Sequence, residues 1–152
     1  MFLSRDSKMQ NSLYEQDLYQ WFTTNAELIN QGKFAQVDTE NLVEELEAMG
    51  RSERRALISR TSVLLAHLLK WQFQPEMRSN SWKYTIAEQR RRMLRLLDDS
   101  PSLRPKLIEK LPDAYDDAIL TAAKETQLDK TVFPRTCPFS LEQVMDENFL
   151  PD

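Results

Sequence analysis

The sequence predicts an all-α protein: a single-domain helical bundle of about five main helices, with an extended C-terminal arm and a short last helix. Only two of the 152 residues are glycines, Gly32 and Gly50, whereas a β-rich chain needs many more turn residues. Apolar residues recur at helical spacing, and no segment alternates like a strand. The length suits one domain with one core.

Residues 1–11 are predicted to form a loose tail, and 12–152 a single helical domain. Ser12 and Glu15 have the spacing of a capping box, which places the start of the first helix at Ser12. Gly32 is suited to its end, because glycine adopts the left-handed conformation without penalty. Three aromatic residues on its apolar face are expected to anchor the core: Tyr14, Trp21 and Phe22.

A second helix is predicted to begin after the capping residue Asp38. Four apolar residues at helical spacing are expected to form its buried stripe: Leu42, Val43, Leu46 and Met49. Gly50 either ends this helix or kinks it into the next one, and the sequence leaves both possibilities open. A helix that followed through a short connection would pack antiparallel to the second.

The most apolar stretch of the chain predicts a third helix, which ends before Pro75. From Leu57 to Gln74 this helix is apolar around most of its circumference, so we expect it at the centre of the bundle. Its one polar stripe includes His67 and Lys70. That stripe must find partners or water.

Three further elements follow from local signals. Ser79 or Ser81 starts a fourth helix, in which Gln89 falls within the apolar stripe and needs a buried partner. Ser100 and Pro101 start a fifth helical region. Pro112 predicts a break or kink near Leu111. An extended arm is predicted over 133–138. It precedes a short helix at Leu141–Met145, which Ser140 and Gln143 cap.

Charge is distributed unevenly along the chain. Residues 51–95 carry a net charge of +8, whereas 1–50 and 96–152 each carry −6. The basic middle could bind an anionic partner such as nucleic acid, or the acidic flanking helices could neutralise it internally. The overall net charge of −4 favours internal neutralisation, because duplex-binding domains are usually basic.

Several classes of function are excluded by composition. A single cysteine, Cys137, and a single histidine exclude an intrachain disulfide and multi-cysteine or multi-histidine metal sites. Two isolated glycines cannot form a phosphate-binding loop or a nucleophile elbow. Carboxylate-only magnesium or calcium sites stay open, but no loop has the spacing of a helix-loop-helix calcium site, and we expect no cofactor and no metal. No apolar run reaches the roughly 20 residues of a membrane span, and no signal peptide is recognisable. A cytoplasmic protein without membrane contact is expected.

Two groups of residues could carry chemistry. In the first, Glu45 would orient His67 or itself act as base, while Lys70 would stabilise negative charge. The alternative is a structural hydrogen bond for His67, with the Lys70 ammonium reaching water. In the second group, Arg78 and Trp82 would bind an anionic or flat substrate beside a helix N-terminus. The alternative is a well-capped loop in which Arg78 pairs with an acid.

A third group lies on one face of the fourth helix and consists of Arg91, Arg92 and Arg95. This face could bind nucleic acid or an acidic protein. A solvated surface held by salt bridges is the alternative.

Several motifs resemble the bacterial family called "domain of unknown function 29", over about residues 12–151. The resemblance rests on Leu64-Leu65-Ala66-His67-Leu68-Leu69-Lys70-Trp71, Arg78-Ser79-Asn80-Ser81-Trp82, Met49-Gly50-Arg51-Ser52-Glu53-Arg54-Arg55 and Cys137-Pro138-Phe139. It implies an almost wholly helical domain and no particular activity.

The interpretation that the sequence favours is a cytoplasmic helical domain that binds a macromolecular partner, namely a protein. The alternative is an enzyme whose site lies between the second, third and fourth helices. Nucleic-acid binding through the arginine face is a third possibility. Oligomeric state and pathway stay open.

Overall fold

The computed structural model describes residues 5–152, whose long elements are all α-helices. Within this range there are six helices and no strand, which confirms the all-α prediction. They are α1 (Arg5–Gln16), α2 (Leu18–Asn30), α3 (Thr39–Phe73), α4 (Asn80–Asp99), α5 (Arg104–Thr126) and α6 (Leu141–Met145).

The chain divides into two compact units, Met1–Arg51 and Ser52–Asp152, called here the first and second units. The first contains α1, α2 and the beginning of α3. The second contains the rest of α3 and the helices that follow. A single domain over 12–152 stays a prediction.

The N-terminal helix begins earlier than the capping box indicates. Residues 1–4 of the predicted tail lie outside the described residues, and α1 already begins at Arg5 rather than at Ser12. No proline or glycine between 5 and 11 opposes helix formation. The helix predicted from Ser12 is also divided, because Asp17 caps α2 by accepting a hydrogen bond from the Gln20 amide at 3.0 Å.

Gly32 terminates α2 as predicted. Its φ is +74°, the left-handed region that favours glycine. The next amide, of Lys33, donates to the Leu28 carbonyl at 2.9 Å and closes the helix end.

Gly50 does not end a helix. Asp38 caps α3 as predicted, with the Asn41 amide donating to its carboxylate at 3.3 Å, but α3 then continues for 35 residues through Gly50. The predicted antiparallel pair of helices at this point is therefore wrong. A mid-helix glycine costs about 1 kcal/mol, which flanking helix-forming residues can outweigh.

The apolar part of α3 lies in the core of the second unit, as expected. Leu57, Leu64, Leu65, Leu68 and Leu69 are fully buried. The same cluster contains side chains of α4, α5 and the C-terminal segment: Ile86, Met93, Leu107, Tyr115, Phe133 and Val144.

Two predictions about α4 and α5 have different outcomes. Gln89 has a partner that is half-buried rather than buried, since its side-chain oxygen accepts a hydrogen bond from Arg60 at 3.3 Å. The sequence predicted a kink or a break near Leu111, and the break is absent, because α5 runs through Pro112. Proline removes one helical donor, and the residues beyond it, including the buried Tyr115, keep the helix packed on the core.

The C-terminal arm is fixed to the second unit by hydrogen bonds. Tyr115 donates its hydroxyl to the Pro134 carbonyl at 2.5 Å, and burial raises the pKa of Tyr115 to about 12. The predicted capping box of Ser140 and Gln143 is present at α6.

Candidate functional site

His67 lies half-buried on α3 in the second unit. Its Nδ1 is 3.0 Å from the Val63 carbonyl oxygen. A carbonyl can only accept, so Nδ1 carries the proton and Nε2 is an acceptor when the ring is neutral. Burial, followed by the charge of Lys70, lowers the pKa of His67 despite the hydrogen bond to Val63. The ring is therefore neutral at pH 7.

Lys70 does not extend its ammonium into water, contrary to one interpretation of the sequence. Its side chain is only 7% exposed, and Nζ lies 2.7 Å from Glu125 Oε2. Nζ is also 4.6 Å from the centroid of the Trp82 ring. Glu125 already neutralises this charge, so an anionic ligand at Lys70 would have to displace that carboxylate.

Arg78 is similarly engaged. Its Nε donates to the Trp71 carbonyl at 2.7 Å, and its guanidinium carbon lies 4.9 Å from the centroid of the Trp71 ring. Trp71 is in the last turn of α3, where carbonyls lack helical donors. Arg78 thus caps α3, while Trp82 covers Lys70. Anion binding by Arg78 and Trp82 stays a prediction.

Glu45 belongs to the first unit and has a partner there. Its Oε1 accepts the Tyr14 hydroxyl at 2.5 Å, and this hydrogen bond raises the pKa of Tyr14 to about 12. The sequence predicted that Glu45 and His67 lie on two antiparallel helices and contact each other. The two residues instead belong to one continuous helix, α3. Catalysis by Glu45, His67 and Lys70 stays a prediction.

The arginines of α4 have different environments. Arg92 is exposed and pairs with Glu88 at 2.7 Å, one turn earlier in the helix. Arg91 and Arg95 are also exposed. Binding of nucleic acid by this face stays a prediction.

Arg90, which the sequence did not single out, is 2% exposed. Its Nε donates to the Val144 carbonyl at 2.8 Å, and Nη1 to the Phe149 carbonyl at 3.0 Å. Both acceptors lie more than 50 residues away in the chain. Sequence spacing gives no signal for such a contact. Burial lowers the pKa of this guanidinium, and Asp146 and Glu147 oppose that effect.

The apolar stripe predicted to be buried at the start of α3 is instead largely exposed. Val43 is 53% exposed, Leu46 60% and Met49 61%. The three residues are spaced by three positions, so they follow one side of the helix and form what we call the α3 stripe. The prediction of burial was wrong because helical periodicity identifies an apolar face without showing what covers it.

Residues 5–152 lack two features, a metal-binding cluster and a membrane-spanning helix. No group of histidine, cysteine, aspartate and glutamate side chains there could hold a metal ion. In the same range, no helix is long and apolar enough to cross a bilayer.

Over residues 5–152, these features define an all-helical protein with two separately bonded buried basic residues, Lys70 and Arg90, and an exposed apolar stripe. A family model described as "Domain of unknown function DUF29" matches residues 13–150, nearly the whole chain, and the protein belongs to this family. This confirms the resemblance in the sequence. Comparisons with curated proteins and with solved structures give no match.

Proposed function

We propose that this protein is a partner-binding domain and that the α3 stripe is where it holds another protein. The observation that carries the proposal is the exposure of three large apolar side chains in succession along one side of one helix. Contiguous exposed apolar surface costs solubility and is typical of interaction sites. The stripe has the spacing by which one helix packs against another.

The charges beside the stripe specify the chemistry of the partner. Glu40, Glu44 and Glu47 are all exposed and lie along one flank of the stripe, next to Val43. The first unit is acidic as a whole. A partner helix with an apolar face flanked by lysine or arginine would bury the stripe and match these carboxylates.

We propose a cytoplasmic location for this interaction. Cys137 is a free thiol, and the reducing conditions of the cytoplasm preserve thiols.

The test uses two synthetic helical peptides with the same leucine face, one flanked by lysines and the other by glutamates. The protein should bind the lysine peptide more tightly, and the difference should shrink as salt rises, because exposed charge pairs are screened. Leu46→Asp should weaken binding by about tenfold or more. Leu120→Asp is the matched control, because Leu120 on α5 is also 60% exposed.

Three outcomes would contradict the proposal. One is equal binding of the two peptides, and another is an equal effect of the two substitutions. The third is dimerisation in analytical ultracentrifugation that Leu46→Asp alone abolishes, because it would identify a second copy of this chain as the occupant. A lysate pulldown then identifies the natural partner by comparing the wild-type protein with both variants.

Catalysis with His67 as general base is the second candidate function. What favours it is the neutral imidazole, whose Nδ1 is fixed by Val63 so that Nε2 is an acceptor. Loss of an activity in a folded His67→Gln variant would support this candidate. Retention of that activity would exclude it.

A further inference from the structure

The second unit contains a pocket between α5 and the C-terminal arm, with a volume of about 250 Å³. Its floor is apolar and is formed by Ile108, Leu111, Pro112 and Tyr115. Two charged residues, Asp116 on the helix and Arg135 on the arm, also line it. Neither the partner-binding proposal nor the polar stripe around His67 uses any of these residues.

One hydrogen bond joins the arm to α5 beside this pocket, and a second lies within the C-terminal segment itself. Tyr115 bonds to the Pro134 carbonyl, immediately before Arg135 in the chain. The Cys137 thiol donates to the Phe139 carbonyl at 3.4 Å, and burial raises its pKa, so it stays neutral at pH 7. The walls are therefore formed before any ligand binds, which lowers the entropic cost of binding.

The two charges that line the pocket lack partners within the described part of the chain. Both residues are exposed, and neither side chain forms a hydrogen bond or an ion pair with another residue in 5–152, nor do the two side chains pair with each other. A ligand with only a negative charge would meet Asp116 unfavourably. One with only a positive charge would meet Arg135 unfavourably. A zwitterion can satisfy both residues.

We propose that this pocket binds a free α-amino acid with a large apolar side chain. Arg135 receives its carboxylate, Asp116 receives its ammonium group, and the side chain occupies the apolar floor. The pocket is slightly smaller than the range of about 300–1,000 Å³ typical of drug-sized ligands, which suits a molecule of this size.

The experiment measures binding of three probes by calorimetry and by NMR shifts: L-phenylalanine, N-acetyl-L-phenylalanine and L-phenylalaninamide. The acetyl derivative lacks the ammonium charge, and the amide lacks the carboxylate. L-phenylalanine should bind about tenfold more tightly than either derivative, because each loses one charged contact. The shifted resonances should include those of Ile108 and Tyr115.

Two variants assign the contacts separately. Arg135→Gln should weaken L-phenylalanine and the acetyl derivative but leave the amide unchanged. Asp116→Asn should weaken L-phenylalanine and the amide but leave the acetyl derivative unchanged. Arg55→Gln is the matched control, because Arg55 is exposed, belongs to the same unit and does not line the pocket.

A third variant tests whether the three probes bind in this pocket. Ile108→Trp places a larger ring in the pocket from a lining side chain that is already 53% exposed, so the fold should tolerate it. It should abolish binding of all three probes. The proposal is overturned if binding survives this variant, if the three probes bind equally, or if L-phenylalanine does not bind at millimolar concentration. Tighter binding of the acetyl derivative overturns it in favour of a peptide C-terminus.

Discussion

The two units bury their apolar residues to very different extents. Among the described residues, Trp21 is the one fully buried large apolar side chain of the first unit, whereas the second has a continuous core of leucine, isoleucine, methionine and aromatic residues. The first unit is half as long, yet it exposes more large apolar side chains: Met9, Leu18, Tyr19, Phe22, Ile29, Phe34, Val43, Leu46 and Met49. A continuous core stabilises the second unit, whereas the first leaves much of its apolar surface exposed.

Polar contacts compensate for the small core of the first unit. The indole Nε1 of Trp21 donates to Asp38 at 2.9 Å. The buried Asn25 donates to the Trp21 carbonyl at 2.9 Å and accepts from the Asp38 amide at 2.8 Å. Asp38 also caps α3, so one network around Trp21 links α2 to the start of α3.

The largest effect is expected from Trp21→Ala. It removes the anchor of the first unit and leaves the Asp38 carboxylate without its indole donor, so the free energy of unfolding should fall by about 3–5 kcal/mol. Hydrogen exchange should show protection lost in α2 and kept in α4 and α5. Phe22→Ala is the control, because Phe22 packs on Trp21 but is 40% exposed, and its cost should be much smaller. Uniform loss of protection would contradict the contrast between the units.

The second prediction concerns how the second unit holds its C-terminal segment. Arg90→Met keeps most of the side-chain volume but leaves the carbonyls of Val144 and Phe149 without their donors. The expected cost is about 2–3 kcal/mol in urea denaturation, since one buried and one half-buried acceptor lose their partners. Limited proteolysis should cut first within 140–152. Arg91→Met, at an exposed neighbour, should change neither measurement. Equal protease resistance of the two variants would show that Arg90 does not hold this segment.

Local signals in the sequence predicted several helix ends, although not the start of α1. Asp38, Ser79 and Ser140 cap helices, and Gly32 ends one, because each acts on amides or carbonyls within a few residues. From Leu57 onward, α3 is apolar on most sides, and a helix of this kind must lie in a core. Its burial was therefore predicted correctly.

Contacts between distant parts of the chain could not be predicted in this way. Lys70 meets Glu125 across 55 positions, and the sequence offers several carboxylates that could serve equally well. Arg90 stands in a run of three arginines, and only the fold distinguishes it from Arg91 and Arg92. The α3 stripe has the same periodicity as a core-facing helix, so its exposure depends on what packs nearby.

A smaller, stabilising effect is expected at the junction of the two units. Gly50 is helical, and a Cβ placed there would meet no atom within 4 Å. Gly50→Ala should therefore raise the free energy of unfolding by about 0.5–1 kcal/mol. Gly32→Ala is the contrasting control and should destabilise, because its φ is positive. Destabilisation by Gly50→Ala would mean that α3 departs from helical geometry at this position.

The smallest effect is expected from the titration of His67, which should make the free energy of unfolding of the second unit depend on pH. Burial lowers the pKa of the folded imidazole below its ordinary value of 6.5. The unfolded chain therefore binds the proton more readily, and stability due to the neutral ring is lost as pH falls through about 6.5 and below. Urea denaturation at pH 7.5 and 5.5 should show a larger loss for the wild-type protein than for His67→Gln.

Other titrating groups affect the wild-type protein and His67→Gln alike, so the difference between the two pH dependences isolates His67. Parallel stability curves would show that the ring has the same pKa in the folded and unfolded states.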